Sequence, residues 1–242
     1  GDVAIGHQAL QDADGGDAFN VAVGYRAGRN ITSGIRNILI GASAGDTLTA
    51  GLDNIAIGYQ ALATEDTHSY NTAVGHQALK AQDAGADAYN VAMGYRAGYA
   101  VTSGVNNITI GAEAGIALTT GSYNVAVGHG ALATEDTGGQ NVAIGVNALN
   151  TLNYAGNGMN VAVGYNAGNA MTSGINNTLV GGNCGVALLS GNDNVAVGTY
   201  AADSLTVGVR NTAIGTYALS SEDAHGYNVA VGHGTLLNQN AG

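Results

Sequence analysis

Polar and apolar positions recur along this chain in one five-residue phrase: Asn, then Val, Ile or Thr, then most often Ala, then Val, Ile or Met, then Gly. Fourteen copies begin at residues 2, 20, 37, 54, 71, 90, 107, 124, 141, 160, 177, 194, 211 and 228. Gly closes every copy, from Gly6 to Gly232, and Asn opens all but the first, where Asp2 stands. The phrase alternates with period two, so Val21 and Val23 point to one side and Ala22 to the other, as a strand requires. Val, Ile and Thr favour strands, and Gly can take the positive φ a corner needs. Successive copies are 17 to 19 residues apart. That is too short for a strand–helix–strand unit of about 30 residues. A short, fixed period marks a solenoid, in which no single coil can bury its own apolar face.

The pattern therefore predicts an all-β fold, a parallel β-solenoid (β-roll) of about 14 coils of 17–19 residues. A second short strand is predicted before the next Asn, as at Ile31-Thr32-Ser33 and Val101-Thr102-Ser103. The chain has no Pro, which suits coils that need backbone donors all along the ladder. At about 4.8 Å per stacked strand, the expected rod is roughly 65 Å long.

A second period lies over the first. The 19-residue steps fall at 71–90 and 141–160, and the residue four places after the phrase Gly reads Leu10, Gly28, Gly45, Leu62, Leu79, Gly98, Gly115, Leu132. ATEDT at 63–67 returns at 133–137, and GYRAG at 24–28 returns at 94–98. The reading is one repeat domain over 1–242, made of four-coil blocks near 2–70, 71–140 and 141–210 with a partial block at 211–242.

Stacking turns each repeat position into a column. The fourth position is apolar in all fourteen copies, the second is Val, Ile or Thr, and the third is Ala except at Leu39, Thr109 and Leu179. Both faces of the strand are dry. One must line the interior, and the other forms an apolar strip of roughly 400 Å², at the edge of what a monomer exposes. Identical copies around a shared axis are the simplest cover, so a parallel homotrimer is expected.

The Asn column (Asn20, Asn37, Asn54, Asn71, Asn90, Asn107, Asn124, Asn141, Asn160, Asn177, Asn194, Asn211 and Asn228) reads as a structural amide ladder rather than a set of ligands. Cys184 stands in a column of Ala and reads as a small packed thiol. The residue after each phrase Gly is often a ring, and Tyr25, Tyr59, His76, Tyr95, His129 and Tyr165 are candidates for a stripe that stacks on sugars. Corner packing over Gly-rich backbone is the plainer role.

Six basic residues stand against 17 acidic ones, for a net charge of −11. A nucleic-acid binder would show a basic stripe, and an anionic membrane is disfavoured on the same ground. A trimer would carry about −33, which keeps an apolar assembly soluble. Acids gather at corners, and Asp12, Asp14 and Asp17 around Gly15-Gly16 form a weak calcium candidate. No apolar run reaches 18 residues, so no transmembrane helix is expected, and no secretory leader is visible. Without capping segments the chain reads as part of a longer protein.

Catalytic motifs are missing: no Gly-x-Ser-x-Gly, His-Glu-x-x-His or Walker loop occurs. Glu65-Asp66 could serve glycoside hydrolysis, but adjacent strand residues point apart. No enzyme activity and no cofactor is expected. A Thr column five residues before each Asn (Thr32, Thr49, Thr102, Thr119, Thr172) suggests an ice-binding array, broken by Asp66, Asp136 and Asp223.

Asn141-Val142-Ala143-Ile144-Gly145-Val146-Asn147-Ala148 and its copies resemble the repeat of trimeric autotransporter adhesin heads. That resemblance implies a left-handed β-roll, three chains side by side, and adhesion to a host surface. The wider spacing is similar to Asn-x-Ala-Val-Gly arrays in bacteriophage tail fibres. The expectation is a segment of an extracellular attachment fibre that binds a cell-surface glycan or protein through many weak contacts.

Overall fold

The computed structural model describes residues 1–14, 18–64, 66–85, 87–221 and 223–238. The chain divides into two compact units, Gly1–Ser122 and Tyr123–Gly242. Each is a parallel β-solenoid, and no helix occurs among the described residues. Unit 1 carries β1 (Val3–Ile5), β2 (Val21–Val23), β3 (Ile38–Ile40), β4 (Ile55–Ile57), β5 (Thr72–Val74), β6 (Val91–Met93) and β7 (Ile108–Ile110). Unit 2 carries β8 (Val125–Val127), β9 (Val142–Ile144), β10 (Val161–Val163), β11 (Thr178–Val180), β12 (Val195–Val197), β13 (Thr212–Ile214) and β14 (Val229–Val231). Within each unit, every strand pairs in parallel with the next, phrase on phrase: Ala22 faces Leu39 and Ala143 faces Ala162.

Each strand is three residues long with its middle residue pointing inward. Leu39 is 0% exposed while Ile40 beside it is 37% exposed. The Ala column therefore lines the interior, joined by the Ala three residues after each phrase Gly, such as Ala27, Ala44, Ala61 and Ala78. The phrase Gly turns the corner at φ values such as 137° for Gly24, and a Cβ there would lie 2.7 Å from the Gly41 carbonyl oxygen.

The predicted second strand is a correction. Residues 31–33 and 101–103 form no strand. The N–H groups of Thr32, Ser33 and Gly34 instead converge on the Thr49 carbonyl at 3.0, 3.1 and 3.0 Å. One acceptor serving three donors bends the backbone and ends any ladder. Left-handed residues add to this. In the coil around β5, Gln77, Leu79 and Tyr89 have φ of 58°, 46° and 53°, and equivalent positions repeat from coil to coil. Such residues cost roughly 1–2 kcal/mol each. The first two are held by N–H groups paired across coils, Gln77 to Tyr59 O at 2.8 Å and Leu79 to Ala97 O at 3.1 Å.

Packing explains the four-coil period. Where the column of Leu10 and Leu62 switches to Gly28 and Gly45, the third phrase position switches from Ala to Leu39. A Cβ on Gly28 would lie 2.5 Å from Leu39 Cδ1, and one on Gly45 2.8 Å from Leu39 Cδ2. Leu39 fills the volume that the two glycines release. Leu179 does the same between Gly168 and Gly185 in unit 2. Thr109 holds this place between Gly98 and Gly115, its hydroxyl 3.4 Å from the Val91 carbonyl.

Candidate functional site

The Asn column is buried throughout Asn20 to Asn211. Each amide works in two directions. Its Oδ1 accepts the backbone N–H of the next Asn, as in Asn37 N to Asn20 Oδ1 at 2.9 Å and Asn194 N to Asn177 Oδ1 at 3.0 Å. Its Nδ2 donates to a carbonyl fourteen residues on, as from Asn37 to Gly51 O and from Asn194 to Gly208 O, both at 2.8 Å. Amide-to-amide bonds are added in places, such as Asn211 Nδ2 to Asn194 Oδ1 at 3.1 Å. Asn228 closes the series in unit 2, bonding Asn211 Oδ1.

The long coils interrupt this pattern in both units. Asn71 Nδ2 turns to Ser69 O in its own coil at 3.4 Å, and Asn141 Nδ2 to Gly139 O at 3.2 Å. In unit 1 the buried side chain of Gln82 bridges the gap. It accepts from Asn90 Nδ2 at 2.6 Å and donates to Thr102 O at 3.0 Å.

The same long coils change the corner that precedes them. Three residues before most Asn stands a Gly, because a Cβ at Gly34 would lie 2.8 Å from the Gly51 carbonyl oxygen of the next coil. Before the long coil of unit 1 this column holds His68, which is buried. Before the long coil of unit 2 it holds Gly138, and Glu135 occupies the space. The Glu135 carboxylate is fully buried and accepts the N–H groups of Gly138 at 2.8 Å and Tyr154 at 3.2 Å. Burial raises its pKa against the pull of these two hydrogen bonds.

No family model, curated protein or solved structure matches this chain. The surface must therefore be read from its own columns. The outward face of the strands carries the second and fourth phrase positions, with Ile38, Ile40, Met93 and Ile108 exposed in unit 1 and Ile144, Val195, Val197 and Ile214 in unit 2. The ring column after each phrase Gly flanks it. Tyr25, Tyr59, His76, Tyr95, His129 and Tyr165 are all exposed. Several turn their faces to each other: His7 on Tyr25 at 5.7 Å, Tyr59 on His76 at 5.1 Å, and His76 on Tyr95 at 5.4 Å. A ring inside such a stack offers a sugar its edge, so faces are free only at stack ends. Tyr165 differs, standing between Val146 and Gly182 in its column, and a Cβ on Gly182 meets almost nothing.

A second exposed column was missed by the sequence reading. The residue before each Asn, left-handed in conformation, includes Phe19, Tyr70, Tyr89 and Tyr123 among its rings. Tyr70 stacks on Tyr89 at 5.0 Å, and Arg36 pairs with Asp53 through two bonds of 2.7 Å. The signal was available, since every such residue directly precedes the phrase.

The remaining candidates can be placed briefly. Asp12 and Asp14 are exposed, and Asp17 lies outside the described residues, as do Glu65 and Glu222. Cys184 is buried, its pKa raised to about 12 by desolvation, so the thiol stays protonated at neutral pH. The Thr hydroxyls donate to the next coil, Thr49 Oγ1 to Asp66 O at 2.8 Å and Thr172 Oγ1 to Leu189 O at 3.2 Å. No helix among the described residues is long and apolar enough to cross a membrane.

Proposed function

We propose that the chain is a non-catalytic, receptor-binding segment of an extracellular attachment fibre, of the phage tail-fibre kind, assembled as a parallel homotrimer with left-handed coils. The observation that carries this reading is the outward strand face. Two columns of Val, Ile and Thr run along each unit with residues such as Ile40 more than a third exposed. A face of β-branched side chains on a rigid repeat fits a second copy of itself, since identical columns present identical spacing. Adhesion to a glycan or protein on a cell surface then falls to the ring columns beside that face, where many weak contacts add through avidity. The head of a bacterial trimeric adhesin is the alternative within the same class. An ice-binding face is disfavoured, because the Thr hydroxyls are engaged with carbonyls of the neighbouring coil. A polysaccharide-cutting tailspike is disfavoured because Glu135 is sealed under backbone donors.

Light scattering tests the assembly. A mass near three times 23.9 kDa is expected, and a well-folded species at 23.9 kDa would overturn the trimer. A glycan array tests the adhesion, with binding expected to weaken when Tyr165 is replaced by Ala. An array and a panel of cell surfaces that show no binding to the trimer would overturn the receptor-binding role.

A further inference from the structure

We propose that the corner of unit 1 formed by Asp66, His68 and Asp83 is a divalent-cation site, taking a first-row ion of the zinc class. His68 Nδ1 lies 3.9 Å from Asp66 Oδ1 and 3.8 Å from Asp83 Oδ1, and the three donor atoms all lie within 4.8 Å of one another. An ion with bonds of about 2.0–2.2 Å holds its donors roughly 3–4 Å apart, so small side-chain rotations close the set. The His68 side chain is only 6% exposed, whereas those of Asp66 and Asp83 are 53% and 60% exposed. One donor is therefore set by packing, and the two carboxylates stand at the surface beside it.

Thr67 Oγ1 lies 3.5 Å from His68 Nε2 and donates to Asp66 Oδ1 at 3.0 Å. With its proton on Nε2, toward Thr67, the imidazole would present Nδ1 to an ion held between the two carboxylates. The backbone is tied on both coils. His68 O accepts from Asn54 Nδ2 at 2.8 Å, and Asp83 N donates to Thr102 O at 2.9 Å. An imidazole with two carboxylates suits zinc and its neighbours better than calcium or magnesium, which prefer all-oxygen shells.

The site joins residues 66–68 to Asp83 of the long coil, beside the place where Asn71 turns away from the ladder. A bound ion would clip the two coils together there. The equivalent corner of unit 2 has Asp136 but holds Gly138 and Asn153 in place of His68 and Asp83, so one ion per chain is expected.

The test is a zinc titration of the chelator-treated full chain, followed by thermal unfolding and by the visible spectrum after cobalt substitution. One equivalent should raise the melting temperature and give a cobalt band with nitrogen–oxygen ligation. Asp83→Asn should weaken zinc binding by at least about tenfold, with unfolding in chelator unchanged because Asp83 is exposed. His68→Asn should do the same, and His225→Asn should behave as the parent. If His68→Asn fails to fold, Asp83→Asn decides. A parent without a saturable zinc response, or an Asp83→Asn variant that binds like the parent, would overturn the site.

Discussion

The pentapeptide Ala-Thr-Glu-Asp-Thr stands before the long coil of each unit, at 63–67 and at 133–137, and the residue that follows it differs, His68 in one and Gly138 in the other. In unit 1 the buried group is an imidazole, His68, supplied by the residue that follows the pentapeptide. In unit 2 that residue is Gly138, and a carboxylate from inside the pentapeptide, Glu135, takes the buried place. A Cβ at position 138 would come within 2.6 Å of Glu135 Oε1, so a side chain there would displace the carboxylate. The comparison teaches that a repeat fixes the path of the backbone more tightly than the chemistry of its corners. The same pentapeptide is followed by a side chain in unit 1 and by a glycine in unit 2, and the buried group described at each corner differs with it.

The strongest way to break this comparison is to move the imidazole. Gly138→His should collide with Glu135 and the Tyr154 carbonyl and leave the Gly138 and Tyr154 N–H groups without their acceptor, destabilising unit 2 by roughly 3 kcal/mol. Urea unfolding of the assembled protein measures it. Adding Glu135→Ala to that variant should recover part of the loss, and a strictly additive cycle would show that the two side chains do not compete. Glu135→Ala alone should cost about 2 kcal/mol, since the buried Gly138 N–H and the part-buried Tyr154 N–H would lose their acceptor. Faster amide exchange at those two residues, with exchange in unit 1 unchanged, would localise the effect.

A smaller change sharpens the contrast between units in their cores. Thr109 holds in unit 1 the position that Leu39 and Leu179 hold elsewhere, between two glycines that leave room for a larger side chain. Thr109→Leu should stabilise unit 1 by about 1 kcal/mol, by replacing a buried hydroxyl with apolar volume. A higher urea midpoint is the expected reading.

The smallest effect is a pH slope. The folded-state pKa of Glu135 is raised above its unfolded value by burial, so the folded protein holds that proton more tightly. Its contribution is fully present below the unfolded pKa, near 4.5, and is lost as pH rises through the folded one. Stability measured across that window should fall less in Glu135→Gln than in the parent, whereas His68→Asn should leave the Glu135 slope in place.

These corners mark where the sequence was readable and where it was not. The strands and their parallel register follow from alternation and period, but the inward Ala column does not, because both faces of a strand such as Val21-Ala22-Val23 are apolar. The 19-residue steps were visible too. What they do to Asn71 and Asn141, whose amides swing back to their own coil, was not, because hydrogen-bond direction depends on where the next carbonyl lands. The second strand was expected from Val-Thr-Ser propensity and failed because three N–H groups share the Thr49 carbonyl. The place of His68 beside Asp83 depends on two residues fifteen apart meeting across a long coil. Neither the composition nor the repeat phrase carries that information.

The left-handed columns have a consequence for chemistry outside the ribosome. Gln77, Leu79 and Tyr89 hold backbone angles that an L-residue enters at a cost and a D-residue prefers. A solenoid segment assembled by peptide ligation with D-residues at exposed positions of this kind, such as Tyr89, should thus be firmer than the all-L chain and resist proteases at the same bonds, whereas a D-residue at the buried Leu79 would lose its packing.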